Sequence, residues 1–428
     1  MDRRVFLSTA VSSALLATGC ASTATGSSSA SSSGAMPLGN WDLFNHGQLQ
    51  QMIAGLGKAS KDYRADKPPY VVFDWDNTSI FLDIQEALLV YQLQQLAFGA
   101  TPEQLNKALR MNIPGKAFNK EFNNAAGQPV AIDAIATDIV ASYTWLYGQY
   151  SGLKGSKSLQ EVQGSEHYQA FITKLRYLYE AIGGTFDHDT SYPWVTYLST
   201  GLTEQQVRKL TAETVRWQLK QPIEAVKWTS PASLPGQAGV VSVSWKNGLR
   251  LVPEMQGLYA SFRNAGWDVW ICSASFVDVI KEISSNPEFG YGHRDDRVLA
   301  MELERNAQGQ LQAEFRRGYD QTQGPGKTAS IKRFLVSKYG YGPSFIAGDS
   351  EGDQNMMVDF PSLRKVLIIN RLRAPDTIIG KLSIKAVETY QKPDSVYLLQ
   401  GRNDNTGQLM PMQKSIPLGK KDAVALKS

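Results

Sequence analysis

A short apolar segment that runs directly into two closely spaced carboxylates constrains this chain most. Val71 to Phe73 are consecutive apolar residues, and Asp74 and Asp76 follow almost at once. An unbroken apolar run is typical of a strand in a parallel sheet that is covered on both faces. Because ligands bind at the carboxyl ends of such strands, the segment predicts an α/β sheet with both carboxylates at its binding edge. An ordinary strand followed by a solvated Asp-rich turn would fit equally well.

Chain length and charge narrow the class of protein. At 428 residues, the chain exceeds what one hydrophobic core usually organises, so we expect a core domain and a second, smaller one. The composition, 42% hydrophobic and 20% charged, is ordinary for a globular protein. A formal net charge of +4 without a basic block does not indicate a nucleic-acid partner. Oligomeric state is left open.

The first 36 residues have the composition of an export signal and a tether. Arg3 and Arg4 precede a mildly apolar stretch, and small residues lead to Cys20. This resembles a twin-arginine signal joined to a lipoprotein cleavage box. Residues 21–35, nearly all Ser, Ala, Thr and Gly, cannot bury enough apolar surface to fold. We expect a periplasmic protein lipid-anchored through Cys20 to a bacterial membrane, the outer one; an incidental cysteine after an ordinary signal is the alternative.

The predicted elements divide the rest of the chain into a core that a helical insertion interrupts. Strand and helix patterns over residues 37–83 resume over 249–428, whereas 84–248 is dominated by helical spacing. We therefore predict a parallel-sheet core in two parts with an inserted, mainly α-helical domain. A β-hairpin is predicted within 299–316, and the tail after Gly419 is expected to be frayed.

Two later segments carry polar residues where predicted strands end. One apolar segment ends at Ser273, where a hydroxyl and the N–H groups of a helix start could bind an anion. Serine is also a common helix cap for purely structural reasons. Another apolar segment runs into a turn with Asp349 and Asp353, a spacing that could direct the first to a metal and let the second support it. An acidic surface turn is the alternative.

A lysine at a predicted helix start could supply the cation that such a site needs. Lys327 follows Gly-Pro-Gly, and Lys332 on the same helix competes for the role. A buried cation could neutralise a phosphoryl group and keep nearby carboxylates ionised, although most lysines are solvated. The four histidines are widely spaced, so no zinc site is predicted.

In this order, the motifs resemble those of the haloacid-dehalogenase-like phosphohydrolases. The residues that match the family's four motifs are Asp74, Asp76, Thr78, Ser273, Lys327, Gly348, Asp349 and Asp353. The resemblance implies a Rossmann-like parallel-sheet core with the helical insertion as its cap. It also implies hydrolysis of a phosphomonoester through an aspartyl-phosphate.

The resemblance implies a role for each matching residue. Asp74 would attack phosphorus, and Asp76 would protonate the leaving oxygen and later activate water. Mg²⁺ would be held by Asp74, the Asp76 carbonyl and Asp349, with Asp353 in support. The residues expected to bind the phosphoryl group are Thr78, Ser273, Ala274 and Lys327.

The insertion suggests a small phosphate ester whose alcohol carries a cation. It is rich in aromatic residues, and a ring near a carboxylate can bind an ammonium group, although most rings should be core. Asp83 and Glu86 could face that cation or lie on a solvated helix surface. Residues 40–372 resemble bacterial secreted phosphorylcholine phosphatases, and Asp83 occupies the amine-reading position of phosphoserine phosphatases. We expect a phosphorylcholine or related amino-alcohol phosphatase; a phosphoserine or broad-specificity phosphatase and a non-catalytic ligand-binding lipoprotein are the alternatives.

Overall fold

A computed structural model describes residues 36–426, and a parallel sheet organises them. The predicted signal, the lipidation site at Cys20 and, apart from Met36, the tether lie outside the described residues. Within the described range, no helix has both the length and the apolar character needed to cross a membrane.

The strands are β1 (Tyr70–Phe73), β2 (Ile80–Phe81), β3 (Glu224–Thr229), β4 (Ser242–Asn247), β5 (Arg250–Leu251), β6 (Asp268–Phe276), β7 (Val298–Met301), β8 (Leu303–Arg305), β9 (Leu311–Phe315), β10 (Phe345–Gly348), β11 (Lys365–Ile369), β12 (Tyr397–Gln400), β13 (Arg402–Asn403) and β14 (Gln408–Leu409). The α-helices are α1 (Leu43–Leu56), α2 (Ile84–Gln95), α3 (Pro102–Arg110), α4 (Ile132–Gln149), α5 (Leu159–Gln163), α6 (Glu166–Thr185), α7 (His188–Thr196), α8 (Glu204–Gln218), α9 (Pro253–Asn264), α10 (Val277–Ser285), α11 (Pro325–Ser330), α12 (Ser337–Tyr339) and α13 (Ile378–Glu388). A π-helical segment, Ile331–Val336, joins α11 to α12.

The central sheet has six parallel strands in the order β12, β11, β10, β1, β6 and β7. β1 is buried along its whole length: Val71 and Phe73 pack into one hydrophobic cluster, and Tyr70 and Val72 into another. Both faces of the strand are therefore covered, which explains why its sequence is apolar without alternation. The sheet and its mainly helical insertion confirm the predicted fold class.

The insertion leaves and rejoins the core through a short antiparallel ribbon. β2 pairs with β5, with Ile80 opposite Leu251 and Phe81 opposite Arg250. Between these strands lie α2 to α8 and the antiparallel pair β3 and β4. Helices α3, α5 and α8 each begin with a reciprocal capping box, which satisfies backbone donors at their first turns. The ribbon places the insertion beside the carboxyl end of β1, while the predicted domain bounds stay a prediction.

Three local predictions require correction. β6 continues through Ser273 to Phe276, because its pairing with β7 shifts register between Cys272 and Phe276 and then resumes. The predicted hairpin is real but shorter, since it joins only β8 and β9, while β7 is a parallel edge strand. The tail is not frayed up to Val424, because Ser415 and Val424 exchange two backbone hydrogen bonds.

Candidate active site

The carboxyl ends of β1, β6 and β10 bring the motif residues together. Because β1 lies between β6 and β10, the residues that follow these strands meet at one edge of the sheet. The backbone N–H of Asp74 donates to the carbonyl of Ala347 at 2.9 Å, which ties the ends of β1 and β10 together. This edge forms one wall of a cavity of about 540 Å³, lined among others by Asp74, Asp76 and Asp349.

Asp74 is held in one orientation by two donors. Its Oδ1 accepts from Lys327 Nζ at 2.6 Å, and its Oδ2 accepts from the Thr78 hydroxyl at 2.8 Å. The turn that returns Thr78 to Asp74 places Asn77 at φ 61°, a left-handed conformation that asparagine tolerates better than most residues. The sequence Asp-x-Asp-Asn-Thr therefore folds back on its own first carboxylate.

Asp349 and Asp353 have different contacts. Asp353 Oδ1 accepts from Lys327 at 2.7 Å, and its Oδ2 accepts from the backbone N–H groups of Asp349 at 3.0 Å and Ser350 at 3.1 Å. These bonds make Asp353 a group that positions the lysine and the turn, and its predicted contact with a metal stays a prediction. Asp349 receives the guanidinium of Arg371 and lies 3.0 Å from the Thr78 hydroxyl, whose single hydrogen can serve only one carboxylate at a time.

The structure brings Lys327, and not Lys332, to the carboxylates. The Lys327 side chain is buried between Asp74 and Asp353, whereas Lys332 is exposed. Burial alone would lower the pKa of Lys327, but Asp353 and then Asp74 raise it well above its ordinary value. The charged form of this lysine is therefore favoured beside Asp74.

The buried oxygens at this edge suit a hard divalent cation. One carboxylate oxygen from each of Asp74, Asp349 and Asp353 lies within 4.8 Å of the others, and all three residues are buried. Oxygen-only donors favour Mg²⁺ over softer metals. Within residues 36–426, no donor hydrogen-bonds to the backbone carbonyl of Asp76, which leaves that oxygen available as well.

Negative charge also exceeds positive charge here. The carboxylates are those of Asp74, Asp76, Asp349 and Asp353, and the cations beside them are Lys327 and Arg371. Burial and then the Asp353 carboxylate raise the pKa of Asp74 well above its usual range. A bound divalent cation would offset this excess, so the residues present fit the predicted cofactor.

Asp76 points toward the second strand end. Its Oδ1 accepts from the Ile84 backbone N–H at 2.7 Å, and its Oδ2 accepts from the Ser275 hydroxyl at 2.6 Å. Burial and then the nearby Asp83 raise the pKa of Asp76 well above its usual range. The side chain is therefore fixed beside the cavity in an environment that favours its protonated form.

The predicted phosphate contacts are only partly arranged as expected. Ala274 lines the cavity together with Ser275, which sequence reasoning missed. Ser273 is fully buried, does not line the cavity, and accepts a hydrogen bond from the Ser275 backbone N–H at 3.1 Å. Thr78 is also buried and bonds to carboxylates. The pairing of β6 with β7 is irregular between Cys272 and Phe276, and within this stretch Ser275, and not Ser273, bonds to Asp76.

The opposite wall of the cavity is acidic and aromatic. Its residues from the insertion and the turn before it include Asp83, Glu86, Tyr179, Glu180, Tyr192 and Trp245. Asp83 accepts from the Glu86 backbone N–H at 3.0 Å as the N-cap of α2. Burial and then Glu86 raise the pKa of Asp83 to about 7. Both residues face the cavity rather than a solvated helix surface.

One buried arginine organises this wall. Arg176 Nη2 lies 2.8 Å from Glu180 and 3.4 Å from Glu86, and its guanidinium stacks 4.8 Å from the Tyr179 ring centroid and 5.5 Å from that of Trp245. Sequence reasoning missed Arg176, Glu180 and Trp245, which lie in helical or alternating segments without a motif. Half of the other rings of the insertion, including those of Tyr143, Tyr177 and Trp194, are buried, and the other half are partly buried against the same hydrophobic cluster, as expected for core residues.

The fold and the site define an α/β protein with a six-stranded parallel sheet, a mainly helical insertion and a carboxylate–lysine cluster at the end of the central strand. No protein-family model and no curated protein matches this chain. The structure resembles that of a conserved functionally unknown protein from Anaerococcus prevotii, with a TM-score of 0.84 and 32% identity over 90% of this chain and 98% of that one. The chain belongs to the same family as that protein.

Two other solved structures are more distant. A phosphoserine phosphohydrolase-like protein from Francisella tularensis has 12% identity and a TM-score of 0.33, covering 73% of this chain and 92% of that one. Cytosolic 5′-nucleotidase IIIB bound to cytidine has 11% identity and a TM-score of 0.32, covering 77% of this chain and 78% of that one. Scores this low carry no argument about the substrate of this chain.

Proposed function

We propose that this protein is a Mg²⁺-dependent phosphomonoesterase that acts on a small phosphate ester through an aspartyl-phosphate. The observation that carries the proposal is the placement of Asp74 at the end of the central strand, fixed by Lys327 at 2.6 Å and Thr78 at 2.8 Å and facing the cavity. A carboxylate held in this way is a usable nucleophile toward phosphorus when nearby cations compensate the charge of the phosphate.

The reaction needs two displacements at phosphorus. In the first, a carboxylate oxygen of Asp74 bonds to phosphorus, the ester P–O bond breaks, and protonated Asp76 gives its proton to the departing alcohol. In the second, Asp76 takes a proton from water as the water oxygen bonds to phosphorus, and the Asp74–phosphorus bond breaks to release phosphate. Lys327 would contact phosphoryl oxygens in both steps. Mg²⁺, held by Asp74, Asp349 and the Asp76 carbonyl, would supply charge neutralisation between carboxylates and phosphate.

The acidic and aromatic wall favours a phosphate ester whose alcohol carries a cation. Asp83, Glu86 and Glu180 line it, and Arg176 is the one cation that contacts two of them within the described residues. Lys246 also lines the cavity but is half exposed, so the wall keeps excess negative charge. This charge and the adjacent rings would attract an ammonium group, with cation–π contacts worth about 0.5–2 kcal/mol per ring. We therefore propose phosphorylcholine, or a related amino-alcohol phosphate, as the substrate.

The proposal is tested with purified protein and three natural esters. We expect Mg²⁺-dependent hydrolysis of p-nitrophenyl phosphate that EDTA abolishes and added Mg²⁺ restores. Rates on phosphorylcholine and phosphoethanolamine should exceed the rate on phosphoserine, whose carboxylate would meet the acidic wall. Binding of choline esters without any turnover would contradict an enzymatic function, and equal rates on all three esters would contradict the proposed cation recognition.

We further propose that the enzyme works in the periplasm, attached to the outer membrane through a lipid on Cys20. The support is the N-terminal sequence alone: the Arg3-Arg4 pair, the small residues before Cys20 and the Ser-rich stretch after it. Cell fractionation should find the wild-type protein with membranes and the Cys20→Ala variant in the soluble fraction. An unchanged distribution of the variant would exclude the lipid anchor.

A further inference from the structure

The segment after β12 contacts two parts of the chain beside the candidate active site, the turn after β1 and the residue that follows β11. We call residues 401–416 the C-terminal brace; it contains β13 and β14 and belongs to none of the four motifs. It reaches the turn after β1 through Arg402 and the end of β11 through Ser415. These contacts come from a part of the chain that the proposed reaction does not use.

Arg402 donates directly to the turn after β1, which begins at Asp74. Its Nη1 bonds to the backbone carbonyl of Asn77 at 3.1 Å, and its Nε bonds to Asp404 at 2.7 Å. The side chain is buried, and its guanidinium carbon lies 4.8 Å from the centroid of the Phe81 ring. A buried cation is costly unless its donors are satisfied in a fixed geometry. Here the ion pair with Asp404 fixes the guanidinium, which can then fix the turn.

The bond from Arg402 reaches the turn between two groups of the candidate site. Asn77 is the left-handed residue between Asp76 and Thr78, with φ of 61°. Thr78 in turn donates to Asp74, and the carbonyl of Asp76 is one of the proposed metal ligands. A shift of the Asn77 peptide would therefore move both neighbours.

Ser415 links this contact to Asn370, the residue that follows β11. Its hydroxyl accepts from the Arg402 backbone N–H at 3.0 Å and donates to the Asn370 carbonyl at 2.6 Å. The Asn370 amide donates to the Gln413 carbonyl at 2.7 Å. Asn370 directly precedes Arg371, whose guanidinium bonds to Asp349. The brace therefore holds the residue before Arg371, which pairs with Asp349, as well as the turn after β1.

We propose that the C-terminal brace holds the active site in position. Within it, Arg402 is a positioning residue that fixes the turn from Asp74 to Thr78 for metal binding and catalysis. The proposal rests on the proposed phosphomonoesterase function. Arg402 acts through Asn77 and touches neither substrate nor metal. Its removal should therefore lower kcat and metal affinity more than it raises KM.

The test compares Arg402→Ala, Arg402→Lys and Ser415→Ala with Arg333→Ala in the full chain. Arg333 is a matched control, because it also donates to a backbone carbonyl, that of Gly318. It is half exposed and contacts neither the turn after β1 nor the end of β11. We expect Arg402→Ala to lower kcat about 10- to 100-fold with KM changed less than about threefold, because small displacements of reacting groups have effects of this size. Calorimetric titration of metal-free protein should show Mg²⁺ binding weakened about tenfold.

The milder variants keep the proposal testable if Arg402→Ala fails to fold. Arg402→Lys can keep the ion pair with Asp404 but not both bonds at once, so it should lie between wild type and alanine. Ser415→Ala should show a smaller loss of the same kind. A folded Arg402→Ala variant, or failing that the two milder ones, with wild-type kcat and Mg²⁺ affinity would overturn the proposal.

The two readouts separate this proposal from the proposed function. If the wild-type protein binds Mg²⁺ but hydrolyses no phosphomonoester, the proposed function fails, and the Mg²⁺ affinities of the variants still decide the role of Arg402. A wild-type protein that neither binds Mg²⁺ nor turns over substrate would overturn both.

Discussion

The two walls of the cavity hold buried charge in different ways. On the sheet wall, Lys327 lies directly between Asp74 and Asp353 at 2.6 and 2.7 Å, and all three side chains are at most 8% exposed. On the insertion wall, Arg176 is fully buried, but its partners Glu86 and Glu180 are 33% and 37% exposed. The sheet wall is therefore a rigid set of mutually fixed ions, while the insertion wall presents carboxylates that water still reaches.

This difference separates the reacting group from the part of the substrate that varies. A phosphoryl group has one shape and charge, so a fixed cluster at strand ends can be complementary to it. An alcohol is recognised by weaker, partly solvated contacts, whose individual contributions are small. We therefore expect substitutions on the sheet wall to affect kcat and stability strongly, and those on the insertion wall to affect KM for cationic substrates.

The largest effect should come from Asp74→Asn. The amide cannot form the covalent intermediate, so kcat should fall by at least about 10⁴-fold on every phosphomonoester, as for other removed nucleophiles. The variant should still fold, since it removes one charge from a cluster with excess negative charge. Asp66→Asn, on an exposed side chain paired only with Arg64, serves as the control for steady-state kinetics. Activity of Asp74→Asn within tenfold of wild type would contradict the assigned nucleophile.

Lys327→Met should lower both activity and stability. It leaves the buried carboxylates of Asp74 and Asp353 without their shared cation, and breaking a buried ion pair in this way costs about 3–5 kcal/mol. Urea unfolding of metal-free protein measures the loss in the free energy of unfolding. Lys332→Met, on the same helix but exposed, should change neither quantity. Equal stability of the two variants would show that the sheet wall is not the rigid ion cluster described above.

The sheet wall could be predicted from sequence because parallel strands bring their carboxyl ends to one edge. Once Asp74 and Asp349 are placed after apolar strands, their proximity follows from the topology. Finer geometry could not be predicted. Ser275 rather than Ser273 bonds to Asp76, in a stretch where the pairing of β6 with β7 shifts register, and no local sequence pattern indicates that shift.

The insertion wall was largely beyond sequence reasoning. Asp83 and Glu86 were candidates because they follow the first motif, but their partner Arg176 lies on α6 and Trp245 on β4. Helical periodicity identifies Arg176 as one more charged residue on a helix, and only packing shows that it is buried between carboxylates and rings. Arg402 was missed for the same reason, since its partner Asn77 is far away in sequence.

Glu180→Gln should produce a moderate effect that is specific for cationic alcohols. The amide can still accept from Arg176, so the wall should keep its shape and lose one negative charge. A partly exposed charge contributes up to about 1 kcal/mol, so KM for phosphorylcholine should rise up to about fivefold. KM for p-nitrophenyl phosphate should not change. Glu213→Gln is the control, because this α8 side chain is also partly exposed and also lies near a cation, Lys209, but does not line the cavity. A loss of equal size on both substrates would contradict the proposed division between the walls.

The smallest expected effect is a pH dependence of cation recognition. Burial and then Glu86 raise the pKa of Asp83 to about 7, so this carboxyl becomes negative only as the pH rises through that value. The charged groups near it include Glu86 and Asp76, which favour its neutral form, and Arg371, which favours its charged form. KM for phosphorylcholine, relative to KM for p-nitrophenyl phosphate, should therefore fall about threefold between pH 6 and pH 8, an effect in the range of one partly compensated charge.

Asp83→Asn provides the control for this titration. The asparagine keeps an oxygen that can cap α2 but has no charge to gain, so the ratio of the two KM values should become independent of pH. Using a ratio removes the titration of groups on the sheet wall, because both substrates place the same phosphoryl group there. A ratio that still falls in Asp83→Asn would assign the pH dependence to another group. If the ratio of KM values in the wild-type protein does not change with pH, Asp83 does not contact the cation. Glu86 and Glu180 would then be the remaining candidates for that contact.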